Sequence, residues 1–404
     1  MNVPKLRFKE FSGEWERVSF GKFFDFLQTN SFSREIASST TGTIRNIHYG
    51  DILTKLPSII DLNEIELPFL DSSIEMKNEV VNKSIIKDGD IVIADTAEDY
   101  AAGMTCEVIG TKEKAVLSGL HTMLCRKKGG NLIALGYLGY YMNTPSYHNQ
   151  LLPLIVGSKV YSINKNEIKK TVLSIPEFVE QEKIVDLLRT VDKKINSLKK
   201  SIDLLNKQKK GFMQKIFSQE LRFKDDKGEE FPAWEEKKLG EIFEIKAGGD
   251  IDKNHVSKTK EGNFIYPIYA NALINEGIYG YSDIYKIDND SITVTGRGDI
   301  GVAKARFGKF YPIVRLLVLI PKETEDMVFF ENLINYTKKY DESTGVPQLT
   351  VPQLSKIKVK VPSFEEQFKI GELFRSLDAK MEKGKMILKH WQQIKKGLLQ
   401  QMFV

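Results

Sequence analysis

One sentence is written twice in this chain, and that repetition constrains its fold more than any other feature. PEFVEQEKIVDLLRTVDKKINS begins at Pro176, and PSFEEQFKIGELFRSLDAKMEK begins at Pro362. The match runs without a gap to QKKGFMQKIF (Gln208–Phe217) and IKKGLLQQMF (Ile394–Phe403), with about sixteen identities over some forty-two positions. A second echo precedes each copy. LRFKEFSGEWERVSFGKFFDF (Leu6–Phe26) returns as LRFKDDKGEEFPAWEEKKLGEIFEI (Leu221–Ile245), anchored by Trp15 and Trp234. Self-similarity on this scale means two copies of one structural plan. The segments between the echoes barely resemble each other, so the frame is shared and the contents are not.

The repeated segments read as long helices. Ile184, Leu188, Val191, Ile195, Leu198, Ile202 and Leu205 step alternately by four and three, and Lys209, Phe212 and Ile216 extend the row. The second copy keeps the register through Ile370, Phe374, Leu377, Met381, Gly384, Leu388, Trp391, Lys395, Leu398 and Met402. A period of 3.5 over several heptads is the signature of a coiled-coil seam. At about 1.5 Å per residue each helix would be about 57 Å long. Pro176 and Pro362 stand just before the helices, and Glu180, Glu182, Glu365 and Glu366 suit their positive N-terminal ends. Gly211 and Gly397 would mark a loosened helix end or a close contact. Two such helices in one chain can satisfy each other's seams if the second turns back along the first.

The variable middles alternate strand-like runs with turns. IRNIHYGDIL, KDGDIVIADTAED, MTCEVIG and AVLSGLHTMLCRKK lead to a helical LIALGYLGYYMNT in the first. FIYPIYANALINEGIYGYSD and DSITVTGRGDIGVAKARFGKFYPIVRLLVLIPK lead to MVFFENLINYTKKY in the second. Each has a loop, Asp95–Ala97 or Gly296–Arg297, then a strand and a helix, and each closes with a turn, Val156–Asn164 or Thr344–Val351. The expected fold is α+β: two mixed α/β domains separated by two long helices forming an antiparallel coiled coil. The expected boundaries are residues 1–175, 176–220, 221–360 and 361–404.

Composition narrows the function. With 41% hydrophobic residues the chain can bury the cores of two or three domains. No run of eighteen apolar residues is present and MNVPKLRFKEF has no apolar core of a secretory signal. Two cysteines, Cys106 and Cys125, point to a reducing compartment, and the expected location is cytoplasmic. A net charge of +5 permits a nucleic-acid partner without requiring one.

Catalytic chemistry is hard to find. GRGDIG (Gly296–Gly301) has phosphate-loop spacing, but Val302 stands where a lysine must be. His121, Cys125 and Cys106 lack the further ligands of a structural zinc set, so no metal is expected. NTPSYHN (Asn143–Asn149) lacks the second proline of an amino-methyltransferase loop, and no glycine-rich cofactor strand accompanies it. No catalytic residue and no cofactor are assigned.

The whole chain resembles the specificity subunit of type I restriction-modification systems. The carrying residues are the LRF segment with Trp15, the GSKVYSIN turn, Pro176, Phe178, Gln181, Lys183 and Ile184, and their second copies through Gly345, Pro362, Glu366, Gln367 and Ile370. The resemblance implies two target-recognition domains, each reading one half of a bipartite site in double-stranded DNA. It implies helices that set the spacing and dock two methylation subunits, which in turn carry the restriction and translocation subunits. The chain itself would be a non-catalytic part of a restriction endonuclease and adenine-N6 methyltransferase complex. Phosphates should be gripped by Lys and Arg, and base edges read by Arg, Lys, Asn, Gln and His. Candidates are Arg45, His48 and Tyr49 on one turn, and His121 and Arg315 at corresponding strand positions. Lys159, Tyr161 and Gln348 lie in the turns before the coils, Arg297 on the glycine-flanked loop, and Lys304 and Arg306 on the next strand. The alternative is a coiled-coil scaffold whose two domains bind ligands other than DNA.

Overall fold

The computed structural model describes residues 2–38, 40–71, 84–129, 133–337 and 348–404. Gly345 and the first part of the Thr344–Val351 turn lie outside the described residues. Two compact units divide the chain: Met1–Ser197 with Leu388–Val404, and Leu198–Ile387. Each unit therefore contains a part of each long helix, Phe178–Phe217 and Phe364–Gln401.

The central strand of the first unit, Asp90–Ala94, is buried at every position, as the apolar run Ile91–Ala94 requires, with the buried Asp90 paired to Arg126 at 2.6 Å. It pairs antiparallel with Thr122–Lys127 on one side and Thr105–Ile109 on the other, and Phe24–Leu27 and Ile59–Asp61 complete a five-stranded sheet. Cys106 and Cys125 fall on opposite faces of that sheet, in two separate hydrophobic clusters. Both thiols are buried, and burial pushes Cys106 up to about 12. Among the described residues no group of His, Cys, Asp and Glu is arranged to hold a metal, and no helix is long and apolar enough to cross a membrane.

The second unit repeats the sheet with other residues. Ser291–Thr295 is again buried throughout and lies between Leu316–Pro321 and Ala303–Arg306, with Phe243–Ala247 at the edge. Each unit also has a small parallel pairing, Ile44–Ile47 with Ala115–Ser118 and Tyr266–Tyr269 with Tyr311–Pro312. In each, an amide clasps both main-chain groups of one strand residue. Asn143 accepts from Thr105 N–H at 2.9 Å and donates to its carbonyl at 2.8 Å. Asn335 does the same to Ala303, at 2.9 and 3.0 Å. The asparagine of NTPSYHN is thus a strand clamp.

The echoed residues build the joints between helix and sheet domain. Arg7, from the first LRF, forks onto Glu180 with both contacts at 2.8 Å, and Glu180 is fully buried. Arg222, from the second, forks onto Glu366 at 3.2 and 2.6 Å, and Glu366 is fully buried too. A buried carboxylate needs such a partner, and the bidentate fork supplies it. The next residue is shared as well. Gln181 donates to the Pro176 carbonyl at 2.9 Å and accepts from Ala134 N–H at 2.8 Å. Gln367 donates to the Pro362 carbonyl and accepts from Asp326 N–H, both at 3.2 Å. One main-chain bond also recurs: Leu221 N–H donates to Lys215 at 3.0 Å, and Leu6 N–H donates to Gln401 at 2.9 Å.

Within each unit the two helix parts run antiparallel. In the first, Ile184, Val185 and Leu188 share a core with Leu398, Leu399 and Met402, and Asp192 pairs with Lys395 at 2.6 Å. In the second, Ile216 and Phe217 share a core with Ile370 and Phe374, and Lys209 pairs with Asp378 at 2.7 Å. Val191, Ile195, Ile202, Leu377 and Met381 are buried, while Leu198, Leu205, Leu388 and Trp391 are half-buried. The glycines depart from expectation. Gly211 lies in regular helix with open space above it, and the close approach is at Gly384, where a Cβ would meet Ile202 at 3.1 Å. Gly211 faces solvent, whereas Gly384 is on the seam.

Candidate nucleic-acid interface

Main-chain hydrogen bonds put the two variable middles in register residue by residue. Asp95 N–H donates to the His121 carbonyl at 3.1 Å, and Gly296 N–H donates to that of Arg315 at the same distance. Ile163 N–H donates to Asp95, and Leu349 N–H donates to Gly296. Gly119 N–H donates to Ile47, and Ile313 N–H donates to Tyr269. Asp95 therefore matches Gly296, His121 matches Arg315, and Ile47 matches Tyr269. One residue beyond Asp95, Thr96 stands where Arg297 stands. Two residues beyond Ile47, Tyr49 stands where Asn271 stands.

These positions gather at the ends of the central strands. His121 and Arg315 do not belong to strands, as the sequence suggests; each sits in the turn just before one, in left-handed backbone at φ 52° and 69°. A non-glycine residue seldom adopts that conformation without a constraint, and both side chains are exposed. The shared bond to Asp95 or Gly296 supplies the constraint.

In the first unit the mouth is aromatic and acidic. His121 lies 3.4 Å from Asp95 and from Thr96, and Tyr49 meets its ring edge-on with centroids 5.3 Å apart. His48 packs tilted against Tyr49, with ring centroids 4.6 Å apart, and is buried, where its Nδ1 accepts from Gly50 N–H at 3.1 Å. It is the N-cap of the helix Tyr49–Thr54, and burial holds its pKa below the ordinary histidine value. Arg45, His48 and Tyr49 are thus spread over a strand, a cap and a helix rather than crowded on one turn. Arg45 lies in Ile44–Ile47 with its guanidinium 4.6 Å over Phe69. Lys159 is exposed at the tip of the closing turn. Tyr161 packs on Tyr100 at 4.7 Å, on a short strand paired with Thr96–Ala97. Tyr100 is more than half exposed and carries no sequence signal that singles it out.

The second mouth is cationic and open. GRGDIG joins two antiparallel strands, so no helix N-terminus stands behind it for a phosphate. At Gly296 a Cβ would lie 2.6 Å from the Arg315 carbonyl, which fixes that residue as glycine. Asn271 accepts from Gly296 and Arg297 N–H at 2.7 and 3.2 Å and donates to the Arg297 carbonyl at 2.7 Å. The loop is thereby held, while Arg297 remains half-buried with no side-chain ion pair among the described residues. Arg297 and Arg315 line one groove of about 550 Å³ with Asn271 and Tyr279. Gln348 is bridged to Arg297 through the main chain and is exposed. Lys304 and Arg306 each have a protein partner. Lys304 lies 3.6 Å from Glu331. Arg306 is buried, donating to Thr293 at 3.0 Å and to the Glu276 carbonyl at 2.7 Å, with its guanidinium 3.8 Å over Tyr269. Asn271 carries no sequence motif; only alignment of the two middles strand by strand would have singled it out.

Comparison with known proteins matches residues 13–207 and 233–389 to the family profile described as the type I restriction modification DNA specificity domain. A Methanocaldococcus jannaschii chain, named for the specificity subunit of the type I restriction enzyme MjaX, is 26% identical over 94% of this chain and 91% of its own length. A Mycoplasma pneumoniae chain that carries the name type I specificity subunit is 28% identical, over 57% of this chain and 60% of its own length. Among solved structures, the S subunit of a type I restriction-modification system from M. genitalium superposes with a TM-score of 0.64 at 18% identity, covering 100% of this chain and 99% of that one.

Proposed function

The chain belongs to the type I restriction-modification DNA specificity family, and from that premise we propose that each unit reads one half of a bipartite duplex site. The observation that carries this reading is one frame built twice with different mouths. Thr96, Tyr49 and His121 occupy in the first unit the places of Arg297, Asn271 and Arg315 in the second. Side chains at these places differ in donor and acceptor pattern, which is how base edges are told apart in the major groove. Domains bounded at residues 1–175 and 221–360 are the proposed readers. The helical segments 176–220 and 361–404 set half-site separation and dock two methylation subunits, through which restriction subunits join. Catalysis then belongs to those partners.

Exchanging residues 221–360 for the corresponding segment of a relative, followed by methylation mapping, tests the reading. One half of the methylated sequence should change and the other stay. A change in both halves would mean that the units are not independent readers. No salt-dependent binding of duplex DNA by the assembled protein would favour a scaffold with other ligands.

A further inference from the structure

A loop beside the second mouth carries hydrocarbon where a soluble surface has no evident use for it. Residues 270–277 leave the strand Tyr266–Tyr269 and close on themselves through Ala270 N–H to the Gly277 carbonyl at 2.8 Å. Ile274, at the tip, is 87% exposed, and Leu273 is 48% exposed. The tip is held out by an unfavourable turn: Asn275, Glu276 and Gly277 have φ of 51°, 52° and 80° in succession. Glu276 has a Cβ and no short amide or carboxylate to compensate, so left-handed backbone there has to be imposed. The buried Arg306 imposes it through its bond to the Glu276 carbonyl. Three buried or strained features thus converge to present two aliphatic side chains to solvent.

Their position suggests the occupant. Leu273 lines the same groove as Arg297, Asn271 and Arg315. Guanidinium groups beside it suit phosphates and guanine edges, whereas the apolar group that a base presents in the major groove is the thymine methyl. In the first unit the same point of the frame opens the helix Tyr49–Thr54, whose Ile52 is buried, and carries no aliphatic tip. We propose that the half-site read by the second unit contains a thymine whose 5-methyl group packs against Ile274 and Leu273. This rests on the DNA-reading function proposed above and assigns one half-site an apolar contact that the other lacks.

The test is a cycle between protein and DNA. The full chain, assembled with its methylation subunits, is titrated with duplexes in which deoxyuridine replaces every thymine of one half-site. Replacement in the half-site assigned to residues 221–360 should weaken wild-type binding about three- to tenfold. Ile274→Ala should bind thymine DNA more weakly by a similar factor and be insensitive to the replacement, and replacement in the other half-site should affect both proteins equally. Additive effects, an unaffected wild type, a half-site without thymine, or a loss of subunit assembly in Ile274→Ala would each overturn the proposal. Failure of the assembled wild type to bind either duplex would instead remove the function on which it rests.

Discussion

The Nζ of Lys209 lies 2.7 Å from Oδ1 of Asp378, joining the two long helices within the second unit. The duplication writes this pair again, as Lys395 with Asp192 at 2.6 Å in the first. Both sit at or beside an apolar seam, where a polar pair costs stability but penalises every other register.

Neutralising one partner should therefore show. Lys209→Ala is expected to lower the stability of the second unit by about 1–2 kcal/mol, between values for exposed and buried pairs. The exchanged pair, Lys209→Asp with Asp378→Lys, should recover most of that loss in urea unfolding. Equal destabilisation by the single and double variants would show that the two charges do not interact.

Acidity should act on the first unit through Glu107. Its buried carboxyl accepts from Gly136 and Gly139 N–H at 2.6 and 2.9 Å, but burial outweighs these bonds and pushes it up to about 7. A folded-state pKa above the unfolded value means that the folded state holds the proton more tightly. Stability is then fully present below about pH 4.5 and declines as pH rises through about 7, by roughly 3 kcal/mol. Hydrogen exchange of the Ile91–Ile93 amides should follow that slope in wild type and lose it in Glu107→Gln. The same slope in both proteins would assign it to another group.

The proposed reading gives Arg297, which lines the groove of the second unit, a base contact. Arg297→Ala is expected to relax discrimination at one base pair of one half-site by about 1–3 kcal/mol and to leave the other half-site untouched. Selection from a randomised half-site library would reveal it. A uniform loss across all sequences, with a shallower salt dependence, would reduce its role to phosphate contact.

The seam should govern assembly without governing sequence. Leu198→Asp or Leu388→Asp puts a charge into an apolar row at a cost of several kcal/mol. Methylation should fall at every site alike, with the preferred bases unchanged. A new recognition sequence with assembly intact would contradict the separation of roles.

Half-site spacing gives the sharpest test of the helices. Matched heptads inserted after Leu198 and Gly384 keep the seam paired and lengthen it by about 10 Å. On duplex DNA that is about three base pairs, with some 100° of rotation. Bending or twisting DNA to compensate would cost several kcal/mol, on the order of elastic estimates. Selection from a library of randomised spacers should return a longer spacer between the same half-sites. An unchanged spacer in a folded, assembled protein would mean that something other than the helices sets the distance. A single insertion should disrupt the seam.

The frame was legible because it repeats: the LRF arginines, the Glu–Gln pair and the seam lysines announce themselves twice, and each has a structural partner. The mouths were only partly legible. Arg297 could be seen on its glycine-flanked loop, but Asn271, which holds that loop, looks like any turn asparagine. Arg306 looked equally eligible and is buried, because strand alternation alone does not say which face a groove-side arginine takes. His48 could not be told from a contact residue, since capping depends on a helix start that the strand-like run IRNIHYGDIL conceals.

The amides of Asn143 and Asn335 have a consequence for how such a protein changes over generations. Each clasps the main chain of its strand residue and ignores the side chain, so the clamp is blind to the letter it holds. The same blindness runs through the main-chain bonds that position His121 and Arg315. Folding is thereby uncoupled from reading. On the proposed reading, mutation can rewrite the mouth of one unit while these main-chain bonds persist, so that a lineage can change its DNA word and keep its frame.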